Sequence, residues 1–466
     1  MEISVFRLYS KLENEMDWNK LMSKKRLGQR YAQEDSVVRT DFQKDYDRIA
    51  FSSAFRRLQD KAQVFPLSDN DYVRTRLTHS LEVSCVGRSL GTMIGEKVIK
   101  KYNLIDLKPE DFGVVTSTAC LAHDIGNTPL GHSGEYAIRE WFKNSEIGKK
   151  IIHRISDKQK QQDFLQYQGN AQGFRFLTKL QWPSSPGGLQ LTYATLGALS
   201  KYPRKSWIDD IGLNSIYGGK FSFFYDDQSL FEEVAVELGL DIKGEQQIWC
   251  RHPLTYLVEA ADDICYHIVD VEDGHRLGQI SFEEAKELLL KLVDERRANK
   301  KLYNMRNEKD IVECLRAMAV GYLIGEVEKL YVDNLESITN GEYNYELTRQ
   351  IPCSEVFLEF KKIAEKKIYT ARRVVEIEAA GFSVVERLLD CFLGAIEDKY
   401  AQENEGKKMS RRSKTIIQLI PESFIGHDKT PDADAYKRSL KIVDYVSGMT
   451  DSFAVSVFKK ISGILI

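Results

Sequence analysis

Apolar positions recur at helical spacing through much of the chain. Over residues 75–102, "TRLTHSLEVSCVGRSLGTMIGEKVIKKY", Leu81, Val86, Leu90 and Met93 fall near one side, which predicts a long amphipathic helix. The stretch 111–123, "DFGVVTSTACLAH", is almost continuously apolar and predicts a buried helix that ends at the His123-Asp124 pair. A third helix is predicted over 253–274, "PLTYLVEAADDICYHIVDVEDG". A fourth is predicted over 281–296, with Ser281 in a favourable N-cap position ahead of acidic residues. The segment 216–227, "IYGGKFSFFYDD", departs from this pattern: two glycines followed by alternating aromatics predict a short strand or hairpin. Residues 181–193 read as a loop and 404–414 as a charged connector. No internal repeat or low-complexity tract is visible. The third helix lies far beyond the first two, so if it joins them, 125–250 is an elaboration of one domain.

Composition sharpens this picture in three places. Ten prolines in 466 residues are compatible with a mainly helical chain, and 42% hydrophobic against 29% charged residues is enough to bury a large core. A formal net charge of −3 gives no global attraction to nucleic acid or anionic membrane, so any anion site must be local. The seven cysteines are odd in number and form no CxxC pair, which argues for reduced thiols in the cytoplasm and against a disulfide frame or zinc ribbon. The N-terminal stretch is charged and amphipathic with no apolar signal core, and no apolar run approaches the ~20 residues of a membrane span.

The candidate chemistry lies on the apolar helices. His79, the pair His123-Asp124 and the pair Asp262-Asp263 are ionisable groups within strongly apolar surroundings. Small residues stand beside the two pairs, Ala122 next to the first and Ala260 and Ala261 before the second. Two imidazoles and two carboxylates suit a divalent ion of the Mn/Fe/Co/Zn group and leave positions open for water and substrate. Adjacent helical residues diverge by about 100°, so a His-Asp pair chelates best where its helix ends, and Gly126 and Pro129 supply that end. A lone histidine or an Asp-Asp pair is more often a solvated or satisfied residue, so the signal is the combination.

The segments "RTRLTHSLEV", "AHDIGNTPLGHSGE" and "EAADDICYHIVDVEDG" resemble the signatures of the HD superfamily of phosphohydrolases, and more narrowly those of bacterial dGTP triphosphohydrolases. The stretches 45–66, 169–175, 201–204 and 371–382 resemble the same group. The resemblance implies an all-α HD-domain fold with a small β-hairpin insertion and a helical C-terminal part. Its divisions would be an N-terminal helical extension over 1–34, an HD domain over 35–280 with an insertion at about 140–250, and a C-terminal region over 281–466 that completes the pocket and an oligomer interface. In that family four residues hold one divalent metal per subunit, Mn²⁺ or Mg²⁺ first and Fe, Co, Ni or Zn as alternatives. The matching positions are His79, His123, Asp124 and one of Asp262 and Asp263. Asp262 is preferred, because Asp262, Tyr266 and Asp270 share a helix face and the family uses a Tyr and an Asp at those offsets on the deoxyribose.

The implied reaction is hydrolysis of dGTP, or of dNTPs more broadly, to deoxynucleoside and inorganic triphosphate, by water attack at the α-phosphorus. His132 would act at the substrate as proton donor or water activator, with Glu135 orienting it. Arg76, Lys201 and Lys220 match phosphate contacts, and Gln63 matches a sugar contact that disfavours ribose. Arg204 stands where the family has an aromatic. Asn170 and Arg175 match a motif without a defined role, and Glu378 and Arg411 are candidates for base selection. The implied partners are the dNTP, further copies of the chain as a dimer or hexamer, and single-stranded DNA or an allosteric nucleotide, with no membrane. The competing readings are another HD nucleotide phosphohydrolase, and a nucleotide- or single-strand-binding regulator of the same fold.

Overall fold

A computed structural model describes residues 16–29, 38–64, 73–208, 219–243 and 248–464. Two helices form its spine: α2, Arg76–Tyr102, and α3, Pro109–Ala122, preceded by α1, Asp41–Ala50. α2 and α3 run antiparallel at unusually close range, because glycines stand where a side chain would collide. A Cβ on Gly87 would meet the Cys120 sulfur at 2.4 Å, one on Gly91 the Phe112 carbonyl at 2.6 Å, and one on Gly95 the Phe112 ring at 2.8 Å. That register carries the first turns of α2 alongside the last turn of α3. The buried face of α2 is Val83, Val86, Leu90, Ile94 and Val98 together with His79. Leu81, expected on this face, is exposed, and Met93 is only half-buried. Two residues along from His79 is about 200° round the helix, so Leu81 faces away.

Helix α4, His132–Asn144, follows the turn after α3, and α5, Gly169–Arg175, lies further on. The third predicted helix is α6, Thr255–Arg276, which packs on both α2 and α3. The fourth is shorter than predicted, Phe282–Leu290, and Ser281 caps it, accepting from the Glu284 N–H while the Glu284 side chain accepts from the Ser281 N–H. The C-terminal part continues with α7, Glu308–Asp333, α8, Arg372–Asn404, α9, Ala435–Ser447, and α10, Asp451–Ile461. The connector predicted over 404–414 is narrower in the structure: α8 runs to Asn404 and a short helix resumes at Arg411, burying Ser413 and Ile416.

A two-stranded antiparallel hairpin is present but stands elsewhere than predicted. β1, Ile242–Lys243, pairs with β2, Ile248–Trp249. Residues 216–218 of the predicted hairpin lie outside the described residues, and 219–227 is irregular with a single 3₁₀ turn at Tyr225–Asp227. Phe221, Phe223 and Phe224 are all fully buried, so this aromatic run fills the core on more than one side and has no solvent face to alternate with. Of the predicted N-terminal extension, 16–29 is described, with a helical turn at Trp18–Leu21 and a buried Arg26 paired with Asp41 and Asp45.

Buried apolar side chains gather in two clusters. The first spans α2, α3, α6 and α7; the second spans α4, α8, α9 and α10. The turn 123–131 bridges them, and the candidate site lies there. No helix among the described residues is long and apolar enough to cross a membrane.

Candidate active site

Thr75 caps α2 and sets His79 in its first turns, where the imidazole is 1% exposed. His123 follows the last residue of α3, and its Nδ1 lies 2.6 Å from the Cys120 carbonyl. That contact assigns the Nδ1 proton to the carbonyl and leaves Nε2 free as a ligand. Asp262 on α6 closes the group: its Oδ1 lies 3.2 Å from His79 Nε2 and 3.4 Å from His123 Nε2. Ligand atoms about 2.1 Å from one ion stand roughly 3.0–3.4 Å apart. These spacings therefore fit a divalent ion held between them, and ligand atoms of the three residues all lie within 4.8 Å of one another. Burial opposes charge on Asp262, but Lys201, His123 and His79 hold its carboxyl well below the usual carboxylate range, so it stands there as an anion. Lys201 Nζ donates to its other oxygen at 2.6 Å.

Asp124 adjoins this set on the His123 side. Its Oδ1 is 3.5 Å from His123 Nε2 and accepts the Asn127 amide, while Oδ2 accepts Arg76 Nη1 at 2.8 Å. Asp263 faces another way, accepting the Thr348 hydroxyl at 2.5 Å, and burial beside Glu259 pushes its carboxyl up to about 7.

A cavity of about 630 Å³ opens over the cluster. Every residue given a metal, catalytic, phosphate or sugar role lines it except Asp270. Gln63 accepts from Arg76 Nη1 at 3.4 Å, Lys220 Nζ sits 5.4 Å from the centre of the Tyr202 ring, and Tyr266 forms part of the wall. Asp270 lies two turns along α6 from Asp262, buried, and accepts the Tyr369 hydroxyl at 2.5 Å; burial pushes its carboxyl up to about 8. Tyr266 and Tyr369 stand 6.2 Å apart, ring centre to ring centre.

His132 begins α4 after Leu130 and Gly131, both at positive φ, 62° and 65°. Burial, then the nearby charges of Arg76 and Lys220, lower its imidazole to about 4, so it is neutral at pH 7. Glu135 is held away from it: its carboxylate accepts from the Gly169 N–H at 3.1 Å and from Arg139 Nη2 at 3.3 Å, and among the described residues no hydrogen bond joins it to His132. The expected orienting contact is thus absent in this state. The Arg139 pairing follows from helix geometry, since Arg139 is one turn beyond Glu135 on the same face of α4.

Arg139, Asn127, Tyr136, Gln168 and Tyr202 line the cavity without having been singled out. The i,i+4 pairing marks Arg139 in the sequence, while Tyr369 carries no local signal. Asn170 lines the cavity too. Arg175 does not; it is buried and paired with Asp226, Asp227 and Asp444. Glu378 and Arg411 are exposed and outside the cavity. Gly126 brings the 123–131 turn hard against α5, where a Cβ would meet the Gly169 carbonyl at 2.0 Å.

Comparison with known proteins matches an HD domain over residues 76–168 and a phosphohydrolase-associated domain over 352–460. A deoxyguanosinetriphosphate triphosphohydrolase-like protein of Synechocystis is 42% identical, over 96% of this chain and all of its own length. A protein of the same description from Pseudomonas aeruginosa is 38% identical over 96% and 99%. A deoxyguanosinetriphosphate triphosphohydrolase of Enterobacter is 29% identical over 97% and 98%.

Proposed function

Because the chain belongs to the HD-domain family of bacterial dGTP triphosphohydrolase-like proteins, and is on that ground a metal-dependent nucleotide phosphohydrolase, we propose that it cleaves deoxynucleoside triphosphates, dGTP foremost, to deoxynucleoside and inorganic triphosphate. The observation that carries this reading is one cavity holding the His79–His123–Asp262 set, a neutral His132 and several cations.

His79, His123 and Asp262, with Asp124 alongside, are the residues that would hold a divalent ion, Mn²⁺ or Mg²⁺ in the first instance; once bound it polarises a phosphoryl oxygen and acidifies water. Arg76, Lys201, Lys220 and Arg139 offset the charge of the triphosphate. Water oxygen attacks the α-phosphorus, the bond to the 5′-oxygen breaks, and that oxygen leaves with the electron pair and gains a proton. His132, neutral before the substrate arrives, accepts the proton of the attacking water, and the imidazolium so formed returns one to the departing 5′-oxygen. Gln63 and the Tyr266 ring contact the sugar, and Asp270, outside the cavity, holds the Tyr369 hydroxyl behind that ring. A cytoplasmic setting and a homo-oligomer, dimer or hexamer, belong to the same proposal.

The purified chain is incubated with each dNTP and Mn²⁺ or Mg²⁺, and the products are separated by chromatography. Deoxynucleoside plus triphosphate is expected. Release of pyrophosphate and a deoxynucleoside monophosphate sinks the reaction type.

A further inference from the structure

The turn that delivers His132 is fixed from the far end of the chain. Asp451, the first residue of α10, is 2% exposed, and its two oxygens divide between two backbone donors. Oδ1 accepts the Leu130 N–H at 2.7 Å and Oδ2 the Ala62 N–H at 3.0 Å. Lys61, equally buried, works in the opposite sense: its Nζ donates to the Asn127 carbonyl and, at 3.0 Å, to the carbonyl of Ser447, the last residue of α9. The Ser452 hydroxyl donates to Asp60 at 2.9 Å. One carboxylate and one ammonium thus join three stretches remote in sequence, at 60–63, 127–132 and 447–452.

Each of the first two stretches carries a group of the cavity. Ala62 precedes Gln63, and the Lys61 carbonyl accepts the Arg76 N–H at 2.9 Å. Leu130 is two residues ahead of His132 and holds a φ of 62°, a backbone state that costs a branched residue about 1 kcal/mol or more. Its N–H is buried, and Asp451 is its partner. Burial disfavours charge on both Asp451 and Lys61, a cost that apolar packing at the same seam would avoid. What the two polar side chains add is direction: each grips two backbone groups at once.

We infer that Asp451 is a positioning residue for the reaction, holding the 127–131 turn through Leu130 so that His132 meets the substrate, with α9 and α10 acting as a strap across the catalytic turn. The inference rests on the role given to His132 above. It separates from plain structural support because the metal set sits on α2, the end of α3 and α6, none of which Asp451 bonds to. A displacement of about 1 Å at a reacting group costs up to about 100-fold in rate.

The test is Asp451→Asn, whose amide oxygen can accept from one of the two N–H groups but whose NH₂ cannot accept from the other. With the dNTP the wild type cleaves best, kcat is expected to fall ~10- to 100-fold. KM should stay within about threefold and Mn²⁺ affinity by calorimetry should be unchanged, since the metal ligands keep their places. If Asp451→Asn does not fold, Asp451→Glu carries the same test, keeping both acceptor oxygens on an arm one methylene longer. Wild-type kcat in a folded variant overturns the proposal. So does a loss of Mn²⁺ affinity in step with melting temperature, which marks a strut and nothing more. A wild-type chain that cleaves no dNTP removes the reading beneath it, and the proposal with it, before any variant is compared.

Discussion

Replacing Asp262 and Asp263 one at a time separates two carboxylates that sequence alone leaves adjacent. Asp262 faces both imidazoles and Asp263 faces Thr348. Asp262→Asn is expected to weaken Mn²⁺ binding by at least ~100-fold, and Asp263→Asn to leave it within about threefold, by titration calorimetry. His132→Ala is expected to bind Mn²⁺ normally and lose about 10²- to 10⁴-fold in kcat, read in the chromatographic product assay; near wild-type turnover removes His132 from the mechanism. The choice of Asp262 was legible because the family resemblance asks for a Tyr and an Asp four and eight residues on, and Tyr266 and Asp270 stand at those offsets from Asp262 and not from Asp263. The grip of Arg76 and Asn127 on Asp124 was not, because the first reaches the carboxylate from another helix and the second from within the turn. Glu135 shows the same limit: its spacing from His132 suggests a pair, but Arg139 and a backbone N–H of α5 take its oxygens.

Helices α2, α3 and α6 were legible as elements because their apolar spacing is dense, yet the facing of α2 was misjudged. Its closest contact is marked by glycines, which a pattern of large apolar side chains does not register. The aromatic run near 221–224 misled for the opposite reason, since burial on several sides imitates alternation. A titratable contact now joins two elements whose association the sequence did not announce. His252, just ahead of α6, places Nε2 2.9 Å from the Leu21 carbonyl and accepts the Leu254 N–H at Nδ1, tying 16–29 to the start of that helix. Burial lowers this imidazole to about 4. Its folded value lies below the unfolded one, so the unfolded chain binds the extra proton. The stability is fully present above the unfolded value of about 6.5 and is lost as pH falls toward 4. Between pH 7 and pH 5 this single group should account for about 2 kcal/mol of lost stability. His252→Gln should flatten the denaturant-unfolding profile over that interval by the same amount; an unchanged slope assigns the acid sensitivity elsewhere.

At the scale of the molecule, the two apolar clusters are held together by buried charge as well as by packing. Arg175 on α5 gives its Nε to both oxygens of Asp444 on α9, at 2.9 Å each, and its Nη1 to Asp226 and Asp227. Removing either partner strands a charge in the interior. Arg175→Met and Asp444→Ala are each expected to cost about 3–5 kcal/mol in denaturant unfolding, and the double variant clearly less than their sum; strict additivity denies the coupling. None of this was visible along the chain, where residues 175 and 444 share no period and no motif. The same arrangement has a consequence in time. A ribosome reading this message finishes His79, His123 and Asp262 well before it reaches Asp444 and Asp451. A growing polypeptide thus carries His79, His123 and Asp262 through some 190 further codons before Asp451, which braces the turn beside them, is added.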